Sequence, residues 1–290
     1  MDWFEVASFV ALFLLMASIG TELSLEDFRR VARFPLLVVV ASGTQFLLLA
    51  PLAGVLSRVL DLRGEVLVGM LILGACPAGG FSNLYTYAGR GHLALSVTLT
   101  AVTCSAAVFV MPSILEVSFA YFSDHPEIVP VPAAQMFAEL SARVLAPIVI
   151  GMGLRKYFPE WVSRNAQRIG RGTLLLMVAI IPAVVIDQGS SVLRDAVDGV
   201  LPAFLFTLIA MALGFLLGRL LGDNEADPFT IMIEFGARNV AIAVIICWSV
   251  LQRVELLAYC FAYMVVQIPL SLIAVAVRRN RLARLDGSGS

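Results

Sequence analysis

The chain alternates long apolar runs with short polar connections. Runs near or above the ~18 residues that argue for a membrane-crossing helix recur along its whole length. They fall at about 3–21, 35–57, 64–89, 92–114, 132–154, 172–189, 199–221, 228–250 and 255–277. The pattern predicts an all-α polytopic membrane protein with nine transmembrane helices. A barrel is excluded, because the runs are continuously apolar and lack the period-two alternation of ~10-residue strands. The connections are short, which predicts one transmembrane domain over residues 1–286. The closing Gly287-Ser-Gly-Ser290 reads as an appended tail and is set aside.

Two of the runs carry polar words in their middle. One is Cys76-Pro-Ala-Gly-Gly-Phe-Ser-Asn83, the other Glu234-Phe-Gly-Ala-Arg-Asn239. A charge at the centre of a membrane helix costs at least a few kcal/mol, so such residues face a cavity and carry function. Pro removes an amide donor and Gly tolerates unusual φ, so both helices should break there. The broken helix is the third of four in each half, spans 1–4 and spans 6–9. The odd fifth span between them would invert one half relative to the other. Interrupted helices in corresponding positions of inverted repeats point to a transport site at the midplane. Unwound carbonyls there suit a cation, and half-helix N-termini suit an anion. The plainer alternative is two kinked helices that pack closely, which leaves Glu234 and Arg238 without a role.

Composition agrees with this class. Hydrophobic residues make up 60% and charged residues 14%, against roughly 25% charged in soluble domains. The net charge of −1 gives no case for nucleic acid. Cys76, Cys104, Cys247 and Cys260 all lie in apolar runs without a CxxC pair, and His92 and His125 sit near run ends without HExxH spacing. Neither a disulfide framework nor a zinc site is indicated. No Ser-His, His-metal or paired-Asp constellation appears within the spans, so the chain is not read as an enzyme. No obligate protein partner is evident, and the lipid bilayer is the partner the composition implies. The segment Met1-Asp-Trp-Phe-Glu5 is no basic n-region, so no signal peptide is expected. Of the 20 basic residues, fourteen fall in loops on one side and four on the other if the N-terminus is outside. The positive-inside bias then predicts a multi-pass protein of the cell membrane with its N-terminus outside and C-terminus cytoplasmic.

Four ordered motifs resemble the bile acid:sodium symporter family over nearly the whole chain. They are Gly20-Thr-Glu-Leu-Ser-Leu-Glu-Asp-Phe-Arg29, Gly74-Ala-Cys-Pro-Ala-Gly-Gly-Phe-Ser-Asn83, Gly91-His-Leu-Ala-Leu-Ser-Val-Thr-Leu-Thr100 and Glu234-Phe-Gly-Ala-Arg-Asn239. The resemblance implies the nine-span form of that family. It implies a core of about 35–114 and 199–277, in which the two discontinuous helices cross, and a moving panel of about 3–21 and 132–189. It also implies secondary active symport of a small or amphipathic organic anion, such as a bile acid-like or carboxylate compound. A sodium-independent or proton-linked carrier or exporter, and a non-transporting binding protein, remain alternatives.

Residue by residue, the first sodium site of the family corresponds to Ser82, Asn83, Ser96, Thr100 and Glu234. Ser96 and Thr100 are four apart and share a helix face, and hard cations prefer such all-oxygen sets. The second site corresponds to Gln45, Glu234, Phe235 and Ala237, but Arg238 stands where a second glutamine is expected. A guanidinium has donors only and stays charged, so it cannot ligate sodium. We expect Arg238 to act as a tethered cation, paired with Glu234 and donating to Gln45, which makes coupling to one Na+ the working expectation and the second site doubtful. Alternatives are an i,i+4 pair with Glu234 in an unbroken helix, or a clamp on a substrate anion. The substrate site is expected at Gly79, Gly80, Phe81 and Asn239, with Arg238. Here the chain departs from the family's Gly-Gly-Thr-Ala-Ser-Asn, so substrate identity does not transfer. Elsewhere, Glu139 and Arg143 are expected to neutralise each other, Asp187 to be interfacial, and Glu26, Asp27, Arg29, Arg30 and Arg33 to form a solvated turn.

Overall fold

The computed structural model describes residues 35–122, 133–165 and 190–287 continuously, with scattered positions between 10 and 29 and between 168 and 179. The predicted spans at 3–21 and 172–189 therefore fall largely outside the described residues. So do Asp27, Arg30, Arg33, His125 and Asp187.

Every regular element among the described residues is a helix. The main ones are α1 (Pro35–Val59), α2 (Gly64–Ala75), α3 (Phe81–Ala88), α4 (Leu93–Phe122), α5 (Ala133–Tyr157), α6 (Ser190–Asp198), α7 (Val200–Leu221), α8 (Asp227–Gly236), α9 (Val240–Val244, running on as a π turn over Ile245–Val250) and α10 (Leu257–Gly287); residues 16–21 and 159–165 are also helical, and Val254–Leu256 is a single 3-10 turn. Five stretches are long and apolar enough to cross a membrane: Pro35–Val59, Leu93–Phe122, Ala133–Tyr157, Val192–Leu221 and Val254–Leu285. Gly64–Ala75 and Val240–Val250 are apolar but shorter. The protein is a multi-pass, all-α membrane protein. The predicted spans at 64–89 and 228–250 are each a pair of short helices joined by a non-helical break.

The first break follows from Pro77. The residue before a proline is pushed out of the helical region, and Cys76 is extended at φ −61° and ψ 149°. The chain re-enters helix at Gly80, φ −56° and ψ −22°. The second break follows Gly236: Ala237 has φ −102° and ψ 78°, and Asn239 caps α9 by accepting from the Ile242 amide at 3.2 Å. Such a side-chain cap takes up one of the donors a helix start leaves orphaned.

The two breaks satisfy each other. Gly79 N donates to Ala237 O at 2.9 Å and Asn239 N donates to Pro77 O at 2.8 Å, giving an isolated antiparallel bridge between Ala78 and Arg238. Inside a membrane such pairing is obligatory, because unpaired backbone groups cannot turn to water. A Cβ on Gly79 would lie 3.1 Å from Asn239 Cα, so only glycine gives this approach without displacement. Tyr263 of α10 clips the second break: its hydroxyl accepts from Arg238 N at 3.1 Å and donates to Gly236 O at 2.5 Å. Away from the breaks, Gly151 of α5 meets the helical residues 16–21, where a Cβ would come within 2.0 Å of Ala17 O. Glu139 and Arg143 of α5 form the expected pair at 2.6 Å.

Candidate functional site

Ser82 and Asn83 open α3, Ser96 and Thr100 lie one turn apart on α4, and Glu234 sits near the end of α8. All five are buried, and Glu234 has no exposed surface. Glu234 Oε1 lies 2.5 Å from Ser82 Oγ and 2.5 Å from Ser96 Oγ, and its Oε2 lies 3.2 Å from Thr100 Oγ1. Asn83 Oδ1 lies 2.8 Å from Ser96 Oγ and 3.4 Å from Thr100 Oγ1. Ser82 and Thr100 hydroxyls are 3.2 Å apart. The five residues expected at the first cation site thus lie together.

Counting protons gives this cluster its chemical meaning. Each hydroxyl carries one hydrogen, while the carboxylate and the amide oxygen carry none. Ser96 faces two acceptors and can donate to one, and Thr100 is in the same position. More oxygen–oxygen contacts exist than protons to fill them, and one full negative charge lies at the centre. A desolvated cage of this kind suits a hard monovalent cation such as Na+. Among the described residues no three His, Cys, Asp or Glu side chains converge, so the donor set is not that of a transition-metal site.

Arg238 lies on the other side of the bridge and is 2% exposed. Its Nη1 donates to Gln45 Oε1 of α1 at 2.9 Å, and its Nη2 donates to the Cys76 carbonyl. The expected contact with Gln45 is present. The expected ion pair with Glu234 is not made, and the unbroken-helix alternative fails with it. The reason is local: α8 ends at Gly236, so the i,i+4 geometry no longer applies two residues later. The carboxylate turns toward α3 and α4, the guanidinium toward α1 and the first break. Of the other second-site residues, Ala237 uses its carbonyl in the bridge, and Phe235 is fully buried, with its side chain close against Gly214 of α7.

The predicted substrate residues line the bridge itself. Gly79 spends its amide on Ala237, and its carbonyl accepts from Ser82 N at 2.9 Å. Gly80 accepts from Asn83 N at 3.2 Å, and Phe81 is half-buried. Asn239 caps α9 and reaches Cys104 Sγ with its amide at 3.7 Å. Both breaks therefore start a new half-helix at the same place.

Sequence reasoning missed three participants. Tyr263 reads as one more aromatic in an apolar run. The Cys76 carbonyl is backbone and carries no sequence signal. His92 Nδ1 lies 2.7 Å from Asp227 Oδ1, joining the start of α4 to the start of α8 one and two turns from the site. The visible signal for that pair was the buried acid of an Asp-Pro helix start.

Sequence comparisons with known proteins identify the family. A sequence model of the Sodium Bile acid symporter family matches residues 9–195. The chain belongs to the sodium bile acid symporter family. The matched range holds Gln45, Ser82, Asn83, Ser96 and Thr100, and ends before Glu234. Individual relatives carry the likeness further. The chain is 32% identical over 246 residues to a probable chloroplastic sodium/metabolite cotransporter of Oryza sativa subsp. japonica, covering 83% of this chain and 56% of that one. It is 29% identical over 236 residues to an uncharacterized sodium-dependent transporter of Bacillus subtilis, covering 81% and 72%. It is 26% identical over 287 residues to the sodium-dependent organic anion transporter of Homo sapiens, covering 97% and 75%. The chain therefore spans little more than half of the rice relative's length. This is a family of transporters, not of enzymes.

Proposed function

We propose that this family member is a secondary active symporter of a small or amphipathic organic anion, coupled to one Na+. The observation that carries the reading is the convergence of Ser82, Asn83, Ser96 and Thr100 on Glu234. Sodium enters this cage as the missing positive charge between oxygens that lack protons to share. Arg238 replaces a second sodium. It offers a fixed positive charge to Gln45 Oε1 and the Cys76 carbonyl, two neutral oxygens of the kind that would otherwise face a cation. The names of the relatives, sodium-dependent and organic anion transporting, agree with this coupling.

The proposed scaffold is nine spans in two inverted halves, N-terminus outside and C-terminus cytoplasmic. The core of about 35–114 and 199–277 carries the paired breaks, and the panel of about 3–21 and 132–189 moves against it. The substrate lies beside Gly79, Gly80, Phe81 and Asn239.

A second reading has its own observation. Among the described residues, Arg238 Nε and Gln45 Nε2 are buried donors without a hydrogen-bond partner, and a substrate carboxylate would satisfy both. Arg238 then grips the substrate directly, and the carrier needs no second cation for that reason.

The test is uptake into proteoliposomes with sodium varied at fixed ionic strength. The proposal expects first-order dependence. Second-order dependence removes the tethered cation, and sodium-independent uptake removes the coupling altogether.

A further inference from the structure

The last turns of α7 and α10 and the loop before α8 enclose a cavity of about 300 Å³. Arg219 enters it from α7, and Arg278 and Arg281 enter it from α10; Glu225 is the one acid on its wall. Among the described residues none of the three arginines forms an ion pair. Phe215 and Leu285 also line the cavity, one turn along the same helix faces as Arg219 and Arg281. A second, open cavity lies along one face of α10 alone; it shares Arg281 and Leu285 with the first and is completed by Val277, Asn280 and Arg284.

We infer that this place binds the phosphate headgroup of an anionic phospholipid. The arginines occupy the final turns of two helices that are each long and apolar enough to cross a membrane, at the level where headgroups lie. Guanidinium forks hold phosphate oxygens with paired, charge-assisted hydrogen bonds, and basic clefts between membrane helices take lipid headgroups in this way. Phe215, one turn inward of Arg219 on α7, gives an acyl chain a surface that inorganic phosphate would leave unused. A general basic bias at one membrane face does not explain the convergence of arginines from two helices on one cavity. Arg279 belongs to the same basic tail yet lines neither cavity.

The site would also brace the transport core. Arg278 donates to Gly89 O at 3.0 Å and lies 4.8 Å over the Phe229 ring. It thus ties α10 to the turn after α3 and to α8, the helix that carries Glu234.

The test uses the full chain in detergent, with added phosphatidylglycerol, phosphatidylcholine or inorganic phosphate. Thermal unfolding gives Tm, and native mass spectrometry counts retained lipid independently of stability. Phosphatidylglycerol is expected to raise Tm and to remain bound, and phosphatidylcholine is not. Arg281→Gln and Arg219→Gln each lose most of the shift and most of the bound lipid, while Arg279→Gln, with the same loss of charge, keeps both. An equal loss in Arg279→Gln overturns the site in favour of diffuse surface charge. An equal shift with inorganic phosphate overturns the lipid as its occupant, and no response to phosphatidylglycerol overturns the proposal outright.

Discussion

The Ser96 hydroxyl on α4 stands 2.5 Å from Glu234 Oε1 on α8 and 2.8 Å from Asn83 Oδ1 on α3. Ser96 can donate to only one of them, so the second contact is a close approach of two oxygens that a cation would relieve. Ser96→Ala is therefore expected to weaken sodium binding more than it weakens the fold. A hydrogen bond to a charged group is worth about 1.5–3 kcal/mol, which corresponds to a roughly ten- to hundredfold rise in the sodium concentration giving half-maximal stabilisation. Glu234→Gln removes the only full negative charge in the cage and should abolish the sodium response. Sodium titration followed by thermal unfolding checks both, and an unchanged sodium midpoint in Ser96→Ala would show that the cage is not where sodium acts.

Arg238 divides two effects that one substitution would confuse. Arg238→Met removes the guanidinium and leaves Gln45 Oε1 and the Cys76 carbonyl buried without their donor. The expected cost is about 2–6 kcal/mol, since each of the two orphaned buried acceptors costs about 1–3 kcal/mol. Arg238→Gln restores an amide oxygen at the same place and permits a mobile cation instead. Its uptake should rise with the square of sodium concentration where the parent rises linearly. A first-order response in Arg238→Gln would mean that the arginine is not standing in for an ion.

Ser82, Asn83, Ser96, Thr100 and Glu234 were grouped in the sequence by the resemblance of their motifs to a known family; polarity inside an apolar run singles out Glu234, whereas Ser96 and Thr100 taken alone could equally bond their own helix carbonyls. Pro77 and Gly236 marked the breaks for a local reason: each weakens a helix wherever it lies. What failed was the pairing of Glu234 with Arg238. Spacing of four implies contact only within a continuous helix, and the break between them sends the two side chains to opposite sides of the bridge. Tyr263 was hidden because its hydroxyl is invisible to an apolar pattern, and its partners are backbone groups of another helix. The pairing of the two breaks is a long-range property with no local sequence signature, although Gly79 makes room for it.

Tyr263→Phe tests that pairing with the loss of a single atom. The hydroxyl serves Arg238 N and Gly236 O together, and both lie in a dry interior where no water replaces it. The expected destabilisation is about 1–3 kcal/mol, read as a fall in Tm. Weaker sodium affinity should accompany it, because Glu234 and Arg238 flank the clipped segment. If Tm falls and the sodium midpoint stays put, the clip supports the fold without tuning the site.

Gly79→Ala probes the same contact from the other break. The added methyl would stand 3.1 Å from Asn239 Cα and 3.2 Å from Arg238 O, slightly inside ordinary van der Waals distance and against backbone that cannot rotate away. Overpacking of this sort costs about 1–3 kcal/mol. The two bridging hydrogen bonds should lengthen, and uptake should fall more than the amount of folded protein does.

Asp227 offers a test at the far end of α8. Its Oδ1 faces His92 Nδ1 at 2.7 Å, while Oδ2 accepts from the amides of Asp223 and Asn224 at 3.0 and 3.1 Å. One carboxylate thus holds the loop before α8 and the start of α4, which is the helix that carries Ser96 and Thr100. Asp227→Asn keeps the size but can present only one oxygen, so with that oxygen on the loop amides its NH2 faces His92 Nδ1, and the imidazole must give up its Nδ1 proton or lose the contact. The expected loss is about 1–3 kcal/mol of stability for the orphaned partner. Because α4 and α8 meet at the cage, the same variant should raise the sodium midpoint although it touches no cage residue. Adding His92→Ala should then cost little more than Asp227→Asn alone, since the two act through one contact and are not independent. Fully additive losses in the double variant would show that the histidine and the aspartate work separately.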